Sequence, residues 1–191
     1  SYNLQRGKDL YGEVSFHKQF DYIKKINPDV TFIQEGENLN YSTFVSDGLT
    51  ILPTSNIDRH TLILTHCEVL FTEKVYFQAQ DTSLDRTQYF LLAQVKVRDE
   101  IFWVLTSHLP AQLNMVVQIK QVSEIVDKLS QVAGSDSVIF GGDFNLVPFT
   151  HAIRYLNYNF TNTWGWCSLE LFGFSAFLGS FVFPYFSYYV Q

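Results

Sequence analysis

The sequence predicts a sheet-based α/β or α+β domain. Short apolar, β-branched runs alternate with two amphipathic helical stretches, an order that suits helices packed on a sheet. The 191 residues are 47% hydrophobic, enough for the core of one domain and too apolar for a disordered chain. Glycine and short polar motifs follow several of the apolar runs, as expected where strands end.

In chain order, Phe16, Phe20, Ile23 and Ile26 repeat at helical spacing and define one buried face, with Asn27-Pro28 as the stop. Val30–Gln34 is a short apolar run, predicted as a buried strand. Thr61–Val69, Gln88–Val97 and Ile101–Ser107 read as three further strands, the last two joined by a turn at Arg98-Asp99. The next helix is predicted over Val116–Val132. Its inner face is Ile119, Val122, Ile125, Val126, Leu129 and Val132, and Gln118, Lys120, Glu124 and Lys128 lie outside. Val138–Phe140 is a buried strand closed by Gly141-Gly142, and a helix is expected to start over Thr150–Leu156.

Charge narrows the function classes. Thirteen Lys and Arg stand against nineteen Asp and Glu, a formal net charge of −6. A general electrostatic nucleic-acid binder would be basic, so non-specific nucleic-acid binding is not expected. The two cysteines, Cys67 and Cys167, lack metal-ligand spacing, which argues against structural zinc. No secretory signal is visible and residue 1 is not Met, so the sequence reads as a fragment or a processed chain of unassigned compartment.

Three polar motifs at the ends of apolar runs carry the chemistry. Gln34-Glu35 follows VTFI; a carboxylate there needs a partner or a metal, or is a surface Glu at a strand-to-loop junction. Thr106-Ser107-His108-Leu109-Pro110 follows IFWVL; read alone, His108 is as well a structural histidine. Gly141-Gly142-Asp143-Phe144-Asn145-Leu146-Val147-Pro148 follows VIF. Its glycines permit tight turns and close approach, and Asp143 and Asn145 either face one ligand or close an Asx turn.

Together, GGDFNLVP, the upstream QE and the TSHL between them resemble the endonuclease/exonuclease/phosphatase superfamily. Ser1-Tyr2-Asn3-Leu4-Gln5 is similar to that family's first motif, a strand ending in Asn. The resemblance covers about residues 1–164 and implies a deoxyribonuclease I-like fold: a two-layer β-sandwich flanked by helices, incomplete at its C-terminus. It implies a phosphoester hydrolase, foremost a phosphodiesterase of nuclease, deadenylase or phospholipid- and GPI-related type. The substrate would be a nucleic acid, a phospholipid or a small molecule.

The resemblance also implies residue roles. Glu35 is the main ligand of Mg²⁺, or of Mn²⁺ in its place, with Asn3 near it. His108 contacts the phosphate or assists the leaving group. Asp143 orients or activates the attacking water, and Asn145 holds a phosphate oxygen. The family's last motif, of Ser-Asp-His type, has no counterpart after Asn145. His151, the only histidine there, is read as a surface or core residue. The alternative is therefore an inactive fragment or pseudoenzyme that at most binds a ligand. Arg86 is read as a solvated turn residue, and His17, His60 and His66 receive no role.

Composition shifts near Trp164. Within 165–191 only Glu170 is charged, and Leu171–Gln191 holds 21 uncharged residues. This aromatic tail is read three ways: a membrane segment, since about 20 residues span a bilayer, core strands of a divergent domain, or non-native sequence. Membrane contact is expected only through it.

Overall fold

The computed structural model describes all residues except 10, 38–39, 55–58, 112–113, 135, 147–149, 163–185 and 191, with main chain alone at 43, 162 and 186–190. Val147, Pro148, Cys167 and the boundary near Trp164 lie outside the described residues.

Two β-sheets pack face to face. The first has the order β1 (Tyr2–Asn3), β2 (Val30–Gln34), β4 (Thr61–Thr65), β3 (Thr50–Leu52). The second has the order β5 (Glu68–Tyr76), β6 (Tyr89–Val97), β7 (Glu100–His108), β8 (Val138–Asp143), β10 (Phe186–Val190), β9 (Thr161–Asn162). Phe32 and Ile63 from the first sheet meet Leu91, Ala93, Val95 and Val104 from the second in an apolar layer. Helices α1 (Phe16–Ile26) and α2 (Ser42–Ser46) contribute Phe16, Phe20, Ile23 and Phe44 to a core on the first sheet's outer face. Helices α3 (Met115–Val132) and α4 (His151–Asn159) cover the second sheet through Val122, Ile125, Leu129, Ile153 and Leu156. The expected sandwich with outer helices is the observed fold.

Several expectations need correction. Ile26 lies on the predicted inner face of α1 but is 56% exposed, because Asn27 turns into the left-handed region (φ 49°) and the chain leaves the sheet. The run Thr61–Val69 breaks at His66-Cys67 into β4 and β5, which belong to different sheets. Gly141 and Gly142 do not end β8; the strand runs through both to Asp143. A side chain at Gly141 would strike the Phe32 ring, and one at Gly142 the Ser107 carbonyl oxygen of β7. These glycines allow close packing between sheets and between strands, rather than a turn. Gln118, expected outside on α3, is 2% exposed. Within the aromatic tail, Phe186–Val190 pairs antiparallel with β8 and β9. Among the described residues no helix is long and apolar enough to cross a membrane.

The topology decides where the strand ends meet. β1 runs parallel to β2 and β7 parallel to β8, so Asn3, Glu35, His108 and Asp143 all stand at the C-terminal ends of parallel neighbours. β4 runs antiparallel to β2, so His60, just ahead of Thr61, comes to the same edge opposite Gln34. β6 runs antiparallel to β7 and brings Arg86, ahead of Tyr89, there as well.

Candidate active site

Gln34 ties the two sheets together beneath this edge. It is fully buried; its amide donates to Thr106 Oγ1 of β7 at 3.1 Å and its oxygen accepts from Ser1 Oγ at 3.0 Å. Glu35 follows with φ 53°, and Gln5, Arg6 and Asn145 (φ 47°) are also in the left-handed region. Non-glycine residues pay for that backbone geometry, and their gathering at one edge is typical of functional sites.

Asn3 sits between two carboxylates. Its Nδ2 donates to Glu35 Oε1 at 3.1 Å and to Asp143 Oδ2 at 3.0 Å, while its Oδ1 accepts from the Gln5 amide at 2.9 Å. Asp143 is 7% exposed. Burial pushes its carboxyl above the usual range, and the charge of Glu35 adds to that; bonds from Asn3 and the Asn145 amide oppose it. Asn145 N donates to Asp143 Oδ1 at 3.1 Å, the Asx turn that the motif allowed. Asp143 and Asn145 therefore meet through a turn.

His108 faces the same group. Its Nε2 is 3.0 Å from Asn145 Nδ2 and 3.8 Å from Asp143 Oδ2. Burial, then the neighbouring His60 and Arg86, hold the His108 imidazole well below its ordinary range, against the opposing charge of Glu37. The ring is neutral near pH 7. All five residues expected from the sequence, Asn3, Glu35, His108, Asp143 and Asn145, thus belong to one hydrogen-bonded cluster.

Three residues without an assigned role join it. His60 Nε2 lies 2.6 Å from His108 Nδ1, with the rings 4.7 Å apart and within 9° of parallel. Its Nδ1 lies 2.9 Å from Glu37 Oε2 and 2.9 Å from Arg86 Nη1. Arg86 is therefore no solvated turn residue. His17, His66 and His151 are exposed. No local motif marks His60, Glu37 or Arg86; they become visible once β4 and β6 are known to run antiparallel to their neighbours. Gln118 was missed for a related reason. Its amide donates to Pro110 O at 2.8 Å and to Asn145 O at 3.1 Å, fastening the Asn145 turn to the loop after His108.

Burial alone would raise the Glu37 carboxyl, but the bond and charge of His60, a backbone bond and Arg6 lower it from 4.5 to about 2. Because the folded value is depressed, this stabilisation is present above the unfolded value near 4.5 and is lost as pH falls through about 2. Glu37→Gln is expected to flatten the acid limb of thermal stability in that window. An unchanged limb in the variant would contradict the assignment.

Glu35 and Asp143 place two carboxylates around one amide, an oxygen-rich set that suits a hard divalent cation. No group of three or more His, Cys, Asp or Glu side chains that could hold a metal gathers among the described residues. A cation of the Mg²⁺ type needs only one or two carboxylates, with water and phosphate completing its shell. The residues present fit such an ion.

No protein-family profile matches the chain. A Gallus gallus protein, tyrosyl-DNA phosphodiesterase 2, is 28% identical over 130 residues, covering 65% of this chain and 34% of the relative. The chain thus spans about a third of the length of that curated relative. Among solved structures, the human Nocturnin catalytic domain with bound sulfate superposes with a TM-score of 0.70 at 14% identity, covering 90% of this chain and 72% of that one. D. rerio TDP2 complexed with a single-strand DNA product gives a TM-score of 0.64 at 22% identity, covering 80% of this chain and 62% of that one. The chain has the deoxyribonuclease I-like fold, two packed sheets flanked by helices.

Proposed function

We propose that the chain hydrolyses a phosphoester, foremost a phosphodiester, with a divalent cation held by Glu35 and Asp143 beside Asn3. The observation that carries this reading is the convergence of Asn3, Glu35, His108, Asp143 and Asn145 at one edge, all linked by contacts of 3.8 Å or less. When bound, the cation offsets negative charge that develops at phosphorus.

The protein's own groups supply the rest. Asp143 is an acceptor fixed by the Asn145 amide and by Asn3, and it orients a water for attack. His108 is a neutral acceptor, not a cation. Arg86 and Arg6 reach this edge through their contacts with His60 and Glu37, and they temper its negative charge for an anionic substrate.

A single-stranded oligonucleotide is the favoured substrate class, because the D. rerio neighbour holds a single-strand DNA product. The test is hydrolysis of three substrates with Mg²⁺: a single-stranded DNA oligonucleotide, phospholipid vesicles and bis(p-nitrophenyl) phosphate. Turnover of the oligonucleotide above the other two is expected. Turnover of none, by a folded protein, would overturn the reading.

A further inference from the structure

His60 and Glu37 lie behind His108, away from Asp143, and take no part in the reaction proposed above. Their contacts nevertheless constrain it. Asn145 has a fixed amide. Its Nδ2 is 3.0 Å from the Leu109 carbonyl oxygen, which can only accept, so the amide orientation is fixed. The second amide hydrogen then points at His108 Nε2, 3.0 Å away. That nitrogen must offer its lone pair, and the His108 proton must sit on Nδ1. His108 Nδ1 then donates to His60 Nε2 at 2.6 Å. His60 in turn carries its proton on Nδ1 and donates it to Glu37 Oε2 at 2.9 Å. Every donor in the series Asn145, His108, His60, Glu37 meets one acceptor.

Arg86 Nη1 competes for His60 Nδ1 from 2.9 Å. If the guanidinium donated there, His60 Nε2 would donate to His108, and His108 Nε2–H would point at the amide hydrogen of Asn145. The Leu109 carbonyl forbids the amide flip that would relieve this clash. Asn145 therefore decides the direction of the whole series.

We infer that His60, anchored by Glu37, is a positioning residue that accepts from His108 Nδ1 and, together with the Asn145 amide fixed by the Leu109 carbonyl, holds His108 as the Nδ1–H tautomer. Both Asn145 amide hydrogens are then committed, and its Oδ1, which takes no hydrogen bond among the described residues, is the end left to the reaction centre. An oxygen there accepts from an attacking water and repels a phosphate oxygen. This differs from the role that the motif implied for Asn145, that of holding a phosphate oxygen. The inference rests on the reading of this edge as a reaction centre only for its kinetic consequence; the tautomer itself does not.

The test combines ¹⁵N NMR of the histidine rings with steady-state kinetics on the intact protein. In the wild type, His108 Nδ1 is expected to be the protonated nitrogen and Nε2 the bare one. In His60→Ala, the His108 signals should shift toward a tautomer mixture. Loss of such an outer partner typically costs roughly 10–100-fold in activity, expected here in kcat with KM within about twofold. His60→Gln keeps an acceptor oxygen for His108 Nδ1 and should recover most of both signals. A wild-type His108 protonated on Nε2 overturns the inference whether or not any variant folds. So does an unchanged His108 tautomer in a folded His60→Ala protein. If the tautomer is as stated but the wild type cleaves no phosphoester, the proposed reaction fails and the positioning inference stands.

Discussion

Glu35→Gln and Asp143→Ala should each remove metal-stimulated hydrolysis, with losses of at least roughly 10²–10⁴-fold, the range that positioned acid–base groups supply. The two variants are expected to differ in stability, which separates loss of function from loss of fold. Asp143 is buried and its carboxyl is raised by that burial first, so its ionised form is held at a cost in the folded state. The sign is opposite to that of Glu37. With a folded value above the unfolded 3.8, stability is fullest below the unfolded value and is lost as pH rises through the folded one. Asp143→Asn removes that charge cost but sets an amide N–H against Asn3 Nδ2 or the Asn145 amide. The two effects oppose, so the metal-free variant should stay within about 1 kcal/mol of the wild type at pH 7 while still abolishing turnover. A metal-free Asp143→Asn protein that melts well below the wild type would contradict this electrostatic account. Retained activity in Glu35→Gln or Asp143→Ala would contradict the catalytic one.

Gly142→Ala is expected to be the most disruptive single-methyl addition among the sites described. A Cβ at this position would press on the Ser107 carbonyl oxygen, which belongs to the β7–β8 ladder and cannot rotate away. At Gly141 the obstacle is the Phe32 ring, a side chain with some freedom to tilt. Overpacking of this kind costs about 1–3 kcal/mol, and more when backbone must move. For a domain of this size, each kcal/mol lowers Tm by about 2–4 °C. Gly142→Ala should thus melt near 10 °C below the wild type and below Gly141→Ala. It should also weaken catalysis, since Ser107 precedes His108 and Gly142 precedes Asp143. Equal melting temperatures for wild type and Gly142→Ala would refute the close-approach explanation.

Much of the fold is legible in the sequence because burial writes a periodic signal. Phe16, Phe20 and Ile23 announce α1, and VTFIQ and VIF announce β2 and β8. Asn3, Glu35, His108, Asp143 and Asn145 can be gathered because each follows an apolar run and their order matches a known superfamily. What is not legible depends on partners far away in the chain. β5 alternates too weakly to be read past Val69, since it is an edge strand in which no residue is fully buried. Gln118 is polar and reads as a surface position, yet it is buried, as is Gln121, because loop carbonyls and Gln88 receive their amides. His60 sits in a stretch without any motif. Its role follows only from the antiparallel register of β4 against β2, which carries no local signature.

The most direct test of the central claim is the initial rate of bis(p-nitrophenyl) phosphate hydrolysis by the wild type, in EDTA and after Mg²⁺ is restored. The account predicts turnover that vanishes in EDTA, returns with Mg²⁺, and fails to return in Glu35→Gln. Turnover that persists in EDTA, or that Mg²⁺ restores equally in Glu35→Gln, would contradict it.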